Sequence, residues 1–533
     1  MEMSLLNLCS YLKKRNNNSL YNDYGYFDTY NLLINLDIRD SHDRYDSFRD
    51  YVTAYHENIH WFQQTSSTIG YFFNLIIQVE HSIIYSFIDK IEIELPLIDY
   101  LIEKKEIINE QISLEPEIFG FPTSYNIDYV EYYIHKLSSL EYLIYLFEGN
   151  FTESQYKEMD LYLRARTINE LIYFSCKDTL WLYENLGIYN NQNHLFLETV
   201  YKYLEKNRHI EFIGLEDGTC LGVKHILEGH ARVNDYLLLD LLYIEHPSDD
   251  IYLKIKKDLT SNGLYASAYK IFCEYVVLED ELYSQILFAA VCDYALNPVL
   301  PPLFDHEQLY SSILEPRFSL AQFRFMNIIE TLKLVIDKKI ITFDSLFDKF
   351  GIQNIGGFLF RNLSIENLNA FIYEIYDIIA QYSLLENPIK IARMIIDKKL
   401  PSENTEKVHY DSIHFCTKQL SKFSEIRLEC PAFLVVPNIV LHLDKALYKK
   451  YEKIIGIPIM VISDSARKTG ANTDFSSFNR KIYSDHFIKQ LLYNDSIDAN
   501  FYDKASGLPD CDLQEIINYF QNFCKTDISK YFK

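Results

Sequence analysis

Residues 55–61 read Tyr55-His56-Glu57-Asn58-Ile59-His60-Trp61, an H-E-x-x-H pattern. On a helix, positions four apart lie on one face, one turn from each other. Two neutral imidazoles placed that way can grip one metal ion from a rigid support. A glutamate directly after the first histidine then stands beside any water the metal holds, as hydrolytic zinc chemistry requires. The flanking sequence supports a helix. Phe48, Tyr51, Val52, Tyr55, Ile59 and Phe62 recur at helical spacing from Ser47 to about Thr65. Upstream, Leu32 to Ile38 reads as a strand, and Ser41 to Asp46 as a polar turn rich in N-cap residues. The motif is therefore expected on a helix that comes after a strand.

The rest of the composition bounds what surrounds this helix. The chain has 533 residues, 48% of them hydrophobic and 24% charged, enough for a large core and more than one ordinary domain. A formal net charge of −24 argues against nucleic acid or anionic lipid as a partner, since both need a basic face. The nine cysteines are scattered and never form a C-x-x-C pair. A reducing, cytoplasmic setting is expected rather than a disulfide framework. Met1 to Ser10 is too short an apolar run for a signal peptide. Tyr71 to Ile84 is interrupted by Asn74, Gln78, Glu80 and His81, so no membrane span is expected.

Outward from the motif, Thr65 to Gly70 looks like a break, and Tyr71 to Lys90 like a buried helix. Three helices are expected over 126–207. Glu216-Asp217-Gly218-Thr219 has turn chemistry, and a helix is expected next, from about Gly222 to Tyr243. Two helices are expected over 250–296, and Asn297-Pro298 and Pro301-Pro302 then suggest a boundary near residue 300. Helical pattern returns over 315–399. Phe433 to Val436, Ile439 to Leu441 and Ile457 to Ile462 read as strands, with Pro437-Asn438 as a bulge or turn. The expected class is mainly α with a small β component, an α+β organisation whose C-terminal part is α/β.

A hydrolytic zinc site needs a third protein ligand. Glu228, in Glu228-Gly229-His230-Ala231, is favoured because glycine and alanine allow a second helix to come close. It lies 168 residues beyond His60. Glu80, 20 residues beyond His60, is the rival, set between the bulky Val79 and His81. An ordinary i,i+4 ion pair with Arg232 would be the bland use of Glu228; as a neighbour of a ligand, Arg232 could instead orient it. His225 shares the face of Glu228 and is the candidate donor to a developing oxyanion, whereas His230 points elsewhere. Gln63 and Gln64 either face the cleft or cap the helix. Asp235 and Asp293 could each hold a ligand imidazole or be structural. The spacing of His409, His414 and Cys416 matches no metal pattern.

Together, the His56-Glu57-x-x-His60 helix and Glu228-Gly229-x-Ala231 resemble the gluzincin branch of the zincin metallopeptidases. The resemblance covers about two dozen residues. It implies Zn2+ held by His56, His60 and Glu228, with Glu57 as general base, and hydrolysis of peptide bonds in a protein or peptide substrate. It also implies a zincin-like catalytic region over residues 1–300 with a long helical insertion at about 71–215. Residues 301–533 would then bind substrate or a regulatory partner protein. The spacing between the two motifs departs from the family pattern and leaves the third ligand open.

Two other classes compete. Glu57-x-x-His60 is also half of a di-iron carboxylate site, and the nearest second half is Asp411-Ser412-Ile413-His414. A noncatalytic helical interaction protein on a zincin-like scaffold is the other.

Overall fold

The computed structural model describes residues 25–28, 33–36, 43–74, 94–104, 213–216, 218–259, 263–278, 281–299, 320–342, 363–397, 411–456 and 458–462, with the single positions 84, 491, 496 and 529. Among them the protein is mainly helical. Two short strands, β1 (Gly25–Asp28) and β2 (Leu33–Leu36), precede α1 (Arg44–Ser66). The strand-then-helix context expected for the motif is present.

Helix α1 starts where its chemistry says it should. Asp43 accepts from the Tyr45 N–H as N-cap, and Asp46 adds an acidic group in the first turn, where the helix dipole favours it. At its far end the Ser67 hydroxyl bonds back to the Gln63 carbonyl, and Arg427 donates to the Ser66 carbonyl. The chain resumes helically over 68–74. Gly70 permits this break: a Cβ there would lie 2.4 Å from the Gln64 carbonyl oxygen and 2.7 Å from that of Gln63, so only glycine fits.

After α2 (Leu97–Glu103), the helix expected from Gly222 is α3 (Val223–Glu245). The preceding turn is closed by a Gly214–Cys220 bridge, with Gly218 at positive φ. Where two helices were expected over 250–296 there are three: α4 (Ile251–Leu259), α5 (Gly263–Tyr275) and α6 (Glu281–Ala295). Then come α7 (Ala321–Asp337), α8 (Ile365–Ser383), α9 (Pro388–Asp397), α10 (Asp411–Glu429), α11 (Ala432–Val435), α12 (Pro437–Leu443), α13 (Lys445–Ile455) and β3 (Ile459–Ile462). The helices expected over 126–207 lie outside the described residues, as does the remainder of the helix expected over 75–90 apart from position 84.

The expected strands at 433–436 and 439–441 are corrected to α11 and α12. Their residues are largely buried, and a short, continuously apolar run carries no period that separates strand from helix. Pro437 stands at the first turn of α12, where its missing N–H costs nothing. The α/β character expected of the C-terminal part therefore reduces, among the described residues, to one strand. That strand, β3, pairs in parallel with β2, Leu33 opposite Ile459 and Leu36 opposite Ile462, while β1 pairs antiparallel on the other edge.

Helix α3 is the hub, packing against α1, α4, α5, α6, α7 and α12. One hydrophobic core runs from Ile34 and Ile59 through Phe288 and Val299 to Ala321, Phe423 and Val440, so it is continuous across residue 300. Trp61 and Phe62 of α1 meet Phe423 of α10 and Phe433 of α11 in edge-on ring contacts. Burying aromatics of this size contributes about 1.5–3 kcal/mol per side chain. The motif helix is thereby clamped between α3 and the C-terminal helices. No helix among the described residues is long and apolar enough to cross a membrane.

Candidate metal centre

Helix α1 crosses α3 so that His56, His60 and Glu228 converge. Three distances define the group: His56 Nε2 to Glu228 Oε2, His60 Nε2 to the same oxygen, and the two Nε2 atoms to each other, each 3.2 Å. They form the one three-residue group of possible metal ligands among the described residues. Tetrahedral zinc with bonds of about 2.0–2.1 Å sets its ligand atoms about 3.3 Å apart. The donor set and its spacing therefore fit zinc. The three side chains are largely buried, His56 at 7% exposure, His60 at 12% and Glu228 at 14%.

Each ligand ring is turned by its other nitrogen. His56 Nδ1 lies 2.8 Å from Asp235 Oδ2. A carboxylate accepts, so Nδ1 carries a proton, and Nε2 is the nitrogen that a metal at the triangle would take, displacing its proton. The sequence offered Asp235 and Asp293 for this task, and Asp235, seven residues after Glu228 on α3, is the one placed against His56. Asp293 instead pairs with Arg427 and the Tyr376 hydroxyl deep in the core. Arg232 pairs with Asp235 at 3.2 Å and lies over the Tyr265 ring, 4.4 Å from its centre. This pair stands in place of a Glu228–Arg232 ion pair, the bland use of Glu228, because Glu228 points at the histidines.

His60 is held differently. Its Nδ1 is 2.8 Å from Gln63 Oε1. Gln63 Nε2 reaches the Leu227 carbonyl and His230 Nδ1, both at 2.9 Å, and His230 Nε2 lies 2.9 Å from the Val435 carbonyl. His230 does point away from the triangle, as expected, yet it touches Gln63 on the far side of His60. The sequence carried no signal for that contact beyond Gln63 lying one turn after His60.

The charges are unusual in a consistent way. Burial alone would hold His56 below its ordinary value, but the charge and hydrogen bond of Asp235, with Glu228, lift it to about 10. His60 is also raised, burial being outweighed by Glu228. Burial works against ionised Glu228, but the two histidines hold its carboxyl well below the usual range. Glu57 goes the other way. Burial pushes its carboxyl up, only partly offset by His60 and His56. It is buried and makes no hydrogen bond or ion pair with a described residue.

Other sequence candidates fall elsewhere. His225 is buried at the start of α3, where its Nδ1 accepts from the Gly222 N–H at 3.1 Å. Gln64 bonds Asn74 and the Gly70 carbonyl, shaping the helix break. Gly229 does allow a close approach, but to Phe288 of α6 and Ala268 of α5 rather than to α1. Cys416 is buried and accepts from Asn74, and burial pushes its thiol up to about 12. Glu80, His409 and the side chain of His414 lie outside the described residues. Comparison with protein-family models, with curated proteins and with solved structures returned no match to this chain.

Proposed function

We propose that this protein is a zinc-dependent metallopeptidase acting on a protein or peptide substrate. The observation that carries the reading is the triangle of His56 Nε2, His60 Nε2 and Glu228 Oε2, its sides 3.2 Å, with Glu57 next to it in sequence. Zinc in such a site supplies the Lewis acidity that makes water a usable nucleophile near neutral pH.

The protein's own groups do the rest. Glu57, with a raised pKa and no partner among the described residues, accepts a proton from the attacking water as the water oxygen bonds to the carbonyl carbon. When the C–N bond breaks, the same carboxyl returns that proton to the departing amine, so protons balance over one turnover. Asp235 keeps the His56 ring in the Nδ1–H form, and Arg232 shares the Asp235 carboxylate. Glu228 would bring one negative charge toward a dication held there with the two neutral imidazoles.

The test is metal content and peptidase activity of purified protein beside Glu57→Gln. The expected result is one zinc per chain in both and a loss of activity of about 100- to 10,000-fold in the variant. Full activity in Glu57→Gln would remove the proposed mechanism. Zinc without any hydrolysis across a denatured-protein panel would favour a noncatalytic scaffold, and two irons per chain a carboxylate oxidoreductase.

A further inference from the structure

We infer that Gln63 and His230 form a positioning strut that fixes the proton on His60, aims its Nε2 at the metal position, and takes its far anchor from the backbone of Val435. The inference rests on the metal-site reading and extends it to residues that touch no metal.

Both ends of the strut are carbonyl groups, which only accept. Val435 O therefore requires a proton on His230 Nε2, 2.9 Å away. The Leu227 carbonyl requires the amide nitrogen of Gln63 to face it, and that same nitrogen faces His230 Nδ1, which must therefore accept. Gln63 Nε2 has the two hydrogens needed for that nitrogen and for the Leu227 carbonyl, both at 2.9 Å. Reversing the amide would set its oxygen against the Leu227 carbonyl, so the Oε1 must face His60. That oxygen in turn demands a proton on His60 Nδ1 at 2.8 Å, which leaves His60 Nε2 as the nitrogen facing the triangle. One arrangement of protons satisfies every contact from Val435 to His60 Nδ1.

The anchor is itself clamped. Val435 O also accepts from Asn234 Nδ2 at 3.3 Å, and Asn438 Nδ2 donates to the Asn234 carbonyl at 3.1 Å. Helices α11 and α12 thus complete the support of a ligand that lies far earlier in the chain.

The experiment uses the full chain. Zinc affinity is measured by competition with a chromophoric chelator, and the ligand field by the visible absorption of Co2+ as substitute. Gln63→Leu should weaken metal about 10- to 100-fold and shift the Co2+ bands. Gln63→Glu still accepts from His60 Nδ1 but sets its second oxygen against the Leu227 carbonyl and His230 Nδ1, so it should recover part of that loss. His230→Phe should weaken metal less than Gln63→Leu, and the double variant should be no worse than Gln63→Leu alone, because both act through one path. Folding of each metal-free variant is checked by circular dichroism; if His230→Phe fails to fold, the Gln63 pair decides. Wild-type affinity and spectrum in Gln63→Leu, or equal losses in Leu and Glu, would overturn the strut while leaving the metal site intact. A wild type that binds no metal would overturn both. A strut effect without peptide hydrolysis would remove the peptidase reading and leave this inference standing.

Discussion

His56 and His60 sit one turn apart on the same helix and point at the same spot, yet they are held in unlike ways. Behind His56 stands a charged pair, Asp235 with Arg232. Behind His60 stands a neutral relay of an amide, an imidazole and two backbone carbonyls. The difference teaches that a ligand can be oriented by charge or by shape. A carboxylate raises the basicity of its imidazole and so strengthens both proton and metal binding. A neutral relay only sets direction, and it needs the right carbonyl at its end.

The most severe way to probe this comparison is to remove each ligand. His56→Ala and His60→Ala should each lower bound zinc from about one per chain to near zero, measured by elemental analysis. If one of them kept its metal, the two rings would not share a site. Next in size is Asp235→Ala. It should weaken metal about 10- to 100-fold and also destabilise the metal-free protein by about 3–5 kcal/mol, because Arg232 is left buried without its partner. Denaturant unfolding reads the second effect. Gln63→Leu should show little of it, having no charge to strand, and equal destabilisation in the two would erase the contrast.

A third, milder test uses pH. In the metal-free protein His56 holds its proton up to about 10, and the metal must displace it. A raised pKa means that the proton competes through the neutral range and stops competing only above that value. Apparent metal affinity should therefore rise with pH toward 10, by about tenfold per unit for each proton released. In Asp235→Asn the rise should level off at lower pH, since the group that lifts His56 is gone. An unchanged profile would show that Asp235 does not act by charge. The smallest effect expected is on the relay side. Gly70→Ala forces a Cβ against the Gln63 and Gln64 carbonyls and should cost about 1–3 kcal/mol of stability, seen as a lower Tm.

The legibility of these features in the sequence varies by residue. The α1 helix was legible, because its apolar spacing, its N-cap residues and the i,i+4 histidines all agreed. Asp235 was legible in part, since seven residues is two turns and returns a side chain to the face of Glu228. The α11–α12 segment was not. Its run is largely apolar because core surrounds it, and such a run looks the same as helix or strand. The partner of Arg232 was not legible for a related reason. Local spacing offers it both Glu228 and Asp235; Glu228 turns to the Nε2 atoms of His56 and His60, and Asp235 accepts from both His56 Nδ1 and Arg232.

Taken alone, the amino-acid order settles whatever the geometry of a single element dictates: that His56 and His60 share a face, that Glu57 stands beside them, and that the chain is mainly helical. Tertiary structure decided the features that depend on two elements meeting. It chose Glu228 to close the triangle and gave Asp235 to His56. It placed the Val435 carbonyl at the end of the relay behind His60, and it joined β3 to β2 across most of the chain. The physical reason is range. Helical periodicity and capping act over a few residues, whereas the partner of a buried polar group is set by which surfaces the whole core brings together.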